Sequence, residues 1–149
     1  MKKEYLHILE CAGHGFWDWN PITHRITFSE QWAHLLGFDK EELTQTMEDW
    51  ISRIHPDDYS RCFNELAALL GGRISHFRSQ HRLLCKDGTY RWVLNQAKVV
   101  EKNAHGYSQR VVGTLTDIDE LKTALEFYKN GSQQSTVDTY ITSQKKASF

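Results

Sequence analysis

The sequence predicts an α+β domain built on a single antiparallel sheet. Three observations lead there: two short strand patterns near the N-terminus, a run of short capped helices after them, and a three-strand meander in the second half. The meander ends where Arg110–Thr116, rich in β-branched residues, gives way at Asp117 to Ile118, Leu121, Leu125 and Tyr128 at helical spacing. Strand becomes helix there within a few residues.

Residues 3–12 place Tyr5, Ile8, Leu9 and Ala12 on one face of a short amphipathic helix, which needs an apolar host to persist. Gly13 and Gly15 end it. Phe16–Trp19 reads as a strand that turns at Asn20-Pro21, and Arg25–Phe28 as its hairpin partner. Ser29 is an N-cap for Glu30–Leu36, with Trp32, Leu35 and Leu36 on the buried face and Gly37 as the stop. Asp39 with Glu42 forms a capping box for one short helix, and Thr46 with Asp49 for another that carries Met47, Trp50, Ile51 and Ile54. His55-Pro-Asp-Asp58 then opens the longest helix, through about Leu70. Pro56 suits its first position, and Asp57 and Asp58 suit the positive end of the macrodipole. These helices form one wall of a cavity.

Gly71 and Gly72 stop that helix, and the meander follows. In its first strand Phe77, Ser79, His81, Leu83 and Cys85 share the core face. Lys86-Asp-Gly88 turns the chain into a second strand, Thr89–Val100. Val93, Asn95, Ala97 and Val99 line one side of it, while Trp92 and Leu94 line the other. A strand with apolar groups on both faces needs two hosts, and the N-terminal helix or a second subunit is the outer one. Asn103–Gly106 turns into the last strand, Asp117 with Glu120 predicts a capping box for the last helix, and Lys129-Asn130-Gly131 stops it. The expected division is a helix over 1–12, the domain over 13–119, a helix stub over 120–130 and a flexible tail over 131–149. Within that tail only Thr136–Ile141 has strand composition.

At 149 residues, 40% hydrophobic and 25% charged, the chain fits one globular domain. Lys plus Arg (18) nearly cancel Asp plus Glu (19), so no strong field invites nucleic acid or an acidic membrane surface. The apolar runs fall far short of the roughly 18 residues a membrane span needs, and the charged start has no signal-peptide core, which predicts a cytoplasmic domain. Cys11, Cys62 and Cys85 form no C-x-x-C pair and suit a reducing compartment. Five Trp and seven Phe point to an aromatic core or an aromatic pocket.

Taken in order, Gly15-Phe-Trp-Asp-Trp19, Leu36-Gly-Phe38, Trp50 with Ile54-His-Pro-Asp-Asp58, Lys86-Asp-Gly-Thr-Tyr-Arg-Trp92 and Val112-Gly-Thr-Leu-Thr-Asp-Ile-Asp119 resemble the PAS sensory domain, with its C-terminal PAC motif. The likeness runs from about residue 10 to about residue 125. It implies a five-stranded antiparallel sheet in the order 2-1-5-4-3, helices packed over one face, and often a small-molecule cavity between them. It also implies that Asp117 and Ile118 couple the sheet to a helix driving a downstream output domain. Asp119 stands where that family carries a hydroxyl residue.

The candidate ligand-binding residues are Phe28, Trp32, Leu36, Ile54, Leu66, Phe77, His81, Val93, Asn95 and Leu115. Mainly apolar walls with Asn95 or His81 as polar handles suit a small apolar or aromatic ligand; the alternative is that these side chains only fill the core. Asp117, Ile118 and Asp119 are the candidate coupling residues, and Tyr5, Leu9, Trp92, Leu94, Leu121 and Leu125 the candidate homodimer interface. Relatives that react through flavin carry Asn-Cys-Arg in the long helix, whereas Cys62 lies in Arg-Cys-Phe. Haem relatives use a histidine there, and none lies between Asp57 and Leu70. No metal site is expected: His55, Asp57 and Asp58 have a structural reason at a helix start, and His76 and His81 point to opposite faces of a strand. No nucleophile, P-loop or zinc signature is present, so the expectation is a regulatory, non-enzymatic module. Three readings stay open: a ligand or partner sensor, a ligand-free interaction domain, and a flavin or haem sensor.

Overall fold

A computed structural model describes residues 3–130. The elements are α1 (Lys3–Cys11), β1 (Gly15–Trp19), β2 (Ile26–Phe28), α2 (Glu30–Leu35), a single 3-10 turn (Lys40–Glu42), α3 (Glu48–Ile51), α4 (Pro56–Leu70), β3 (Phe77–Leu84), β4 (Tyr90–Lys102), β5 (Ser108–Asp117) and α5 (Asp119–Asn130). The five strands form one antiparallel sheet in the order β2-β1-β5-β4-β3, as expected. Two compact units divide the chain, Met1–Asp117 and Ile118–Phe149. The flexible tail over 131–149 and the strand composition of Thr136–Ile141 lie outside the described residues.

Period-two alternation sets the buried side of the sheet. Phe77, Ser79, His81 and Leu83 of β3 and Val93, Asn95 and Ala97 of β4 are buried, while the residues between them are more exposed. α2 packs on β1 and α4 on β3 and β4, enclosing the aromatic core. At Gly15 a Cβ would come within 2.6 Å of the Trp32 Cα, so the absent side chain is what lets α2 lie against β1. Gly113 of β5 does the same for Trp17: a Cβ there would overlap the indole ring and the Gln96 carbonyl.

The expected Ser29 cap and the Asp39–Glu42 capping box are both present. Ser29 Oγ accepts from Trp32 N at 3.1 Å and from Phe16 N at 2.9 Å, capping α2 and tying it to β1. His55 precedes Pro56 at the start of α4, and its Nδ1 accepts from Asp57 N at 3.1 Å. Asp58 reaches out of the helix to the outermost strand. Its Oδ2 accepts from Arg82 N at 2.8 Å and Arg82 Nε at 3.0 Å, while His55 N donates to Arg82 O and Leu84 N to Arg53 O. The free rim of β3 is thereby closed by the segment 53–58. At the opposite rim Gln45 Oε1 accepts from Phe28 N at 3.0 Å.

Two local expectations are corrected. Asp117 is not the N-cap of the last helix: it closes β5, and Ile118 O accepts the first helical bond, from Lys122 N at 2.9 Å. The Asp117 carboxylate instead meets Arg91 Nη1 at 2.6 Å, a stronger partner than a backbone amide. In α1 the stripe is rotated from the expected one, for Tyr5 and Ile8 are exposed whereas Leu6 and Leu9 are half-buried. Leu9 settles into an apolar groove with Phe16 and Val112.

Candidate functional site

The helices and the inner sheet face enclose a small cavity lined by Trp17, Trp19, Ile26, Phe28, Trp32, Met47, Trp50, Leu66, Phe77 and Asn95. Its volume is about 20 Å³, on the measure by which one water needs about 10–15 Å³. β1 and β2 supply one wall, Phe28 of β2 stacks on Trp32 of α2 at 4.0 Å between ring centroids, and α3 with the residue before it brings Trp50 and Met47. Among the candidate residues Phe28, Trp32, Leu66, Phe77 and Asn95 are brought together on this lining. Leu36, Ile54, His81, Val93 and Leu115 are buried beside it in the core, off the lining. Four further lining tryptophan and apolar positions, Trp17, Trp19, Ile26 and Trp50, were not among the sequence candidates, nor was Met47. Trp17 and Trp19 share one face of a five-residue strand by simple alternation, a signal that points to them.

Polar groups behind the lining hold it in place. Trp17 Nε1 donates to Asn95 Oδ1 at 2.9 Å, joining β1 to β4 across β5. Trp50 Nε1 donates to His81 Nε2 at 3.1 Å, so that nitrogen is the acceptor and the ring proton sits on Nδ1, which donates to Ser79 Oγ at 3.1 Å. Ser79 Oγ in turn lies 3.5 Å from Cys62 Sγ. Burial pushes the His81 imidazole down from 6.5 to about 4; the Arg61 charge acts the same way and Asp58 opposes it. Burial raises the Cys62 thiol, with the Ser79 bond opposing. Burial also raises the Asp58 carboxyl, but the Arg82 side-chain and backbone bonds outweigh it and hold the group below the usual carboxylate range.

Flavin and haem do not fit this interior. Pockets for ligands of such size run to about 300–1,000 Å³, far above the space present, and no histidine or cysteine lines it. Cys62 is engaged with Ser79, away from the cavity. Among the described residues no group of three His, Cys, Asp or Glu stands in metal-binding geometry, and no helix is long and apolar enough to cross a membrane.

The coupling candidates lie one strand away. Asn95 pairs with Leu115 and Val93 with Asp117, while Trp17 pairs with Gly113. Of the interface candidates, Leu9, Trp92 and Leu94 are half-buried, and Arg82 lies over the Trp92 ring at 5.0 Å. Tyr5, Leu121 and Leu125 are exposed.

Comparison with known proteins agrees with this architecture. A family model described as the PAS fold matches residues 25–115. A sensory box histidine kinase/response regulator from Burkholderia thailandensis E264 has a crystal structure that superposes with a TM-score of 0.76 at 25% identity, covering 87% of this chain and 95% of that one. The N-terminal domain of a diguanylate cyclase with PAS/PAC sensor from Marinobacter aquaeolei gives 0.64 at 24% identity, over 73% and 98% of the two chains. A PAS domain from Colwellia psychrerythraea gives 0.62 at 15% identity, over 79% and 97%. Comparison with curated proteins gives no match. With the family model covering more than half of its length and the strand order agreeing, the chain belongs to the PAS fold family, the sensory domains of signalling proteins.

Proposed function

We propose that this domain is the regulatory input module of a signalling protein, and that occupancy of its aromatic cavity is passed through β5 to α5. The observation that carries the reading is the position of Trp17. Its ring is part of the cavity wall, rests on Gly113 of β5, and hangs by its N–H from Asn95 of β4. A ligand that moves the ring moves both strands. Those strands meet again at Val93 and Asp117, where Arg91 holds the Asp117 carboxylate at 2.6 Å beside Ile118 and Asp119. Chemistry resides in this reading in a downstream kinase or cyclase output domain, as in the signalling proteins named above, and the setting is the cytoplasm. A second copy docks through Tyr5, Leu9, Trp92, Leu94, Leu121 and Leu125. That set includes large apolar side chains on the outer sheet face and on α5 that the described residues leave wholly or partly open.

Asp117→Ala in the intact signalling protein tests the route. Because the Arg91–Asp117 pair is partly exposed, the loss in stability is expected to stay below about 1 kcal/mol. Output is expected to stop responding to the input. Regulation that is unchanged in the variant sinks the coupling role.

The small cavity volume favours a second reading, in which the domain holds no ligand and reports contact with a protein partner. Mass spectrometry of the denatured protein's extract, with its visible absorption spectrum, separates the two. A released small molecule supports the first; an empty extract with partner capture that depends on Trp92 supports the second.

A further inference from the structure

The tryptophans around the cavity are not equally served. Trp17 and Trp50 each donate the indole N–H to a buried acceptor, Asn95 Oδ1 and His81 Nε2. Trp19 also lines the cavity and is only 7% exposed, yet its Nε1 has no partner among the described residues. A buried N–H without an acceptor is costly, and native interiors rarely leave one so. No acidic or basic side chain lines the cavity, so nothing there compensates an ion. Its walls are mostly flat rings, with Phe28 and Trp32 stacked at 4.0 Å, which favours a thin, planar occupant.

We propose that the cavity takes an uncharged, planar, mostly apolar molecule carrying one hydrogen-bond acceptor, and that Trp19 Nε1–H is the donor to that acceptor. The inference rests on the sensory reading above and names the ligand class for that same site. The present volume of about 20 Å³ admits such a molecule only when part of the wall yields. The yielding part is the segment before α3. Met47 is an unbranched, adaptable side chain of the lining, and Gln45 two residues earlier holds φ at +56°, a conformation unfavourable to a residue with a side chain. Gln45 Nε2 is buried there without a partner as well, so movement of the segment relieves that amide and the backbone, at the cost of the bond that Gln45 Oε1 accepts from Phe28 N.

Pyridine and benzene share one shape and differ by a single acceptor, and pyridine is uncharged at mildly alkaline pH. Each is titrated into the full chain and followed in proton–nitrogen spectra, with Trp19→Phe beside the wild type. Five indole signals are expected from the five tryptophans; the one lost in Trp19→Phe is Trp19, and four that keep their dispersed wild-type positions show the variant folded. Pyridine is expected to move the Trp19 Hε1 signal downfield where benzene does not. The ratio of pyridine to benzene affinity is expected to fall at least about fivefold in Trp19→Phe, because the ring nitrogen then enters the cavity unpaired. Should the variant fail to fold, the wild-type Trp19 Hε1 signal, assigned instead through its own ring and backbone protons, decides alone, and a signal that pyridine leaves unmoved overturns the proposal. Binding of both probes with a ratio that Trp19→Phe does not change overturns the donor role while leaving a ligand-holding cavity. Binding of neither overturns the ligand class together with the cavity reading.

Discussion

Gly113 has no side chain because the Trp17 ring fills the space that one would occupy, so Gly113→Ala forces either the ring or β5 to move. The expected cost is about 1–3 kcal/mol, the usual range for overpacking, read as a lower denaturation midpoint. His81 gives a prediction of a different kind. Its folded value of about 4 lies below its ordinary 6.5, so above about pH 6.5 both folded and unfolded chains hold it neutral and its contribution is fully present. As pH falls from 6.5 towards 4 the unfolded chain takes up a proton that the folded one refuses, and stability drops by about 3 kcal/mol in all. Urea unfolding at a series of pH values should show this slope, and His81→Phe should remove it. The burial of His81 was legible in the alternation of its strand. Its acceptor role was not, because Trp50 lies 31 residues away and only the fold brings it near. The orphaned Trp19 N–H escaped for the same reason, since an unmet donor is defined by everything around it.

The start of α4 shows how one local signal serves two ends. Pro56 and the acidic first turn are read directly from the sequence, but the same Asp58 also clamps Arg82 through its backbone N–H, Nε and Nη2. Asp58→Asn removes the charge from those bonds while keeping the shape. It is expected to cost about 2 kcal/mol at neutral pH, with less loss in acid where the native carboxyl is itself protonated. Equal stability at both pH values would show the clamp to be unimportant. Helix starts were well marked where a hydroxyl or a proline sits beside an apolar face, as at Ser29 and Pro56. The start of α5 was misread by one residue, since a carboxylate offered both a backbone amide and an arginine takes the charged donor. Nothing in the local sequence around Gln45 marks its left-handed backbone, a conformation more often taken by glycine or asparagine.

The order of the strands was legible only through the likeness to the PAS sensory domain, carried by several weak motifs that fall in one sequence in order; turns and caps placed the elements but not their neighbours in the sheet. The cover of the outer sheet face was less legible: apolar residues on two faces of β4 ask for one, and Arg82 over Trp92 supplies part of it. On the proposed dimer, light scattering at high concentration should give twice the chain mass of 17.4 kDa, and Trp92→Glu should return it to one. A wild-type monomer under those conditions removes the interface. The closed rims of the sheet bear on crowding, whenever copies of the domain are held close together. With β3 shut by Arg53, His55 and Asp58 and β2 capped by Gln45, neighbouring copies held at high local concentration find few free backbone groups to zip onto. Strand exchange and fibril growth are disfavoured, and in the proposed dimer contact between copies is left to side chains, which can separate again.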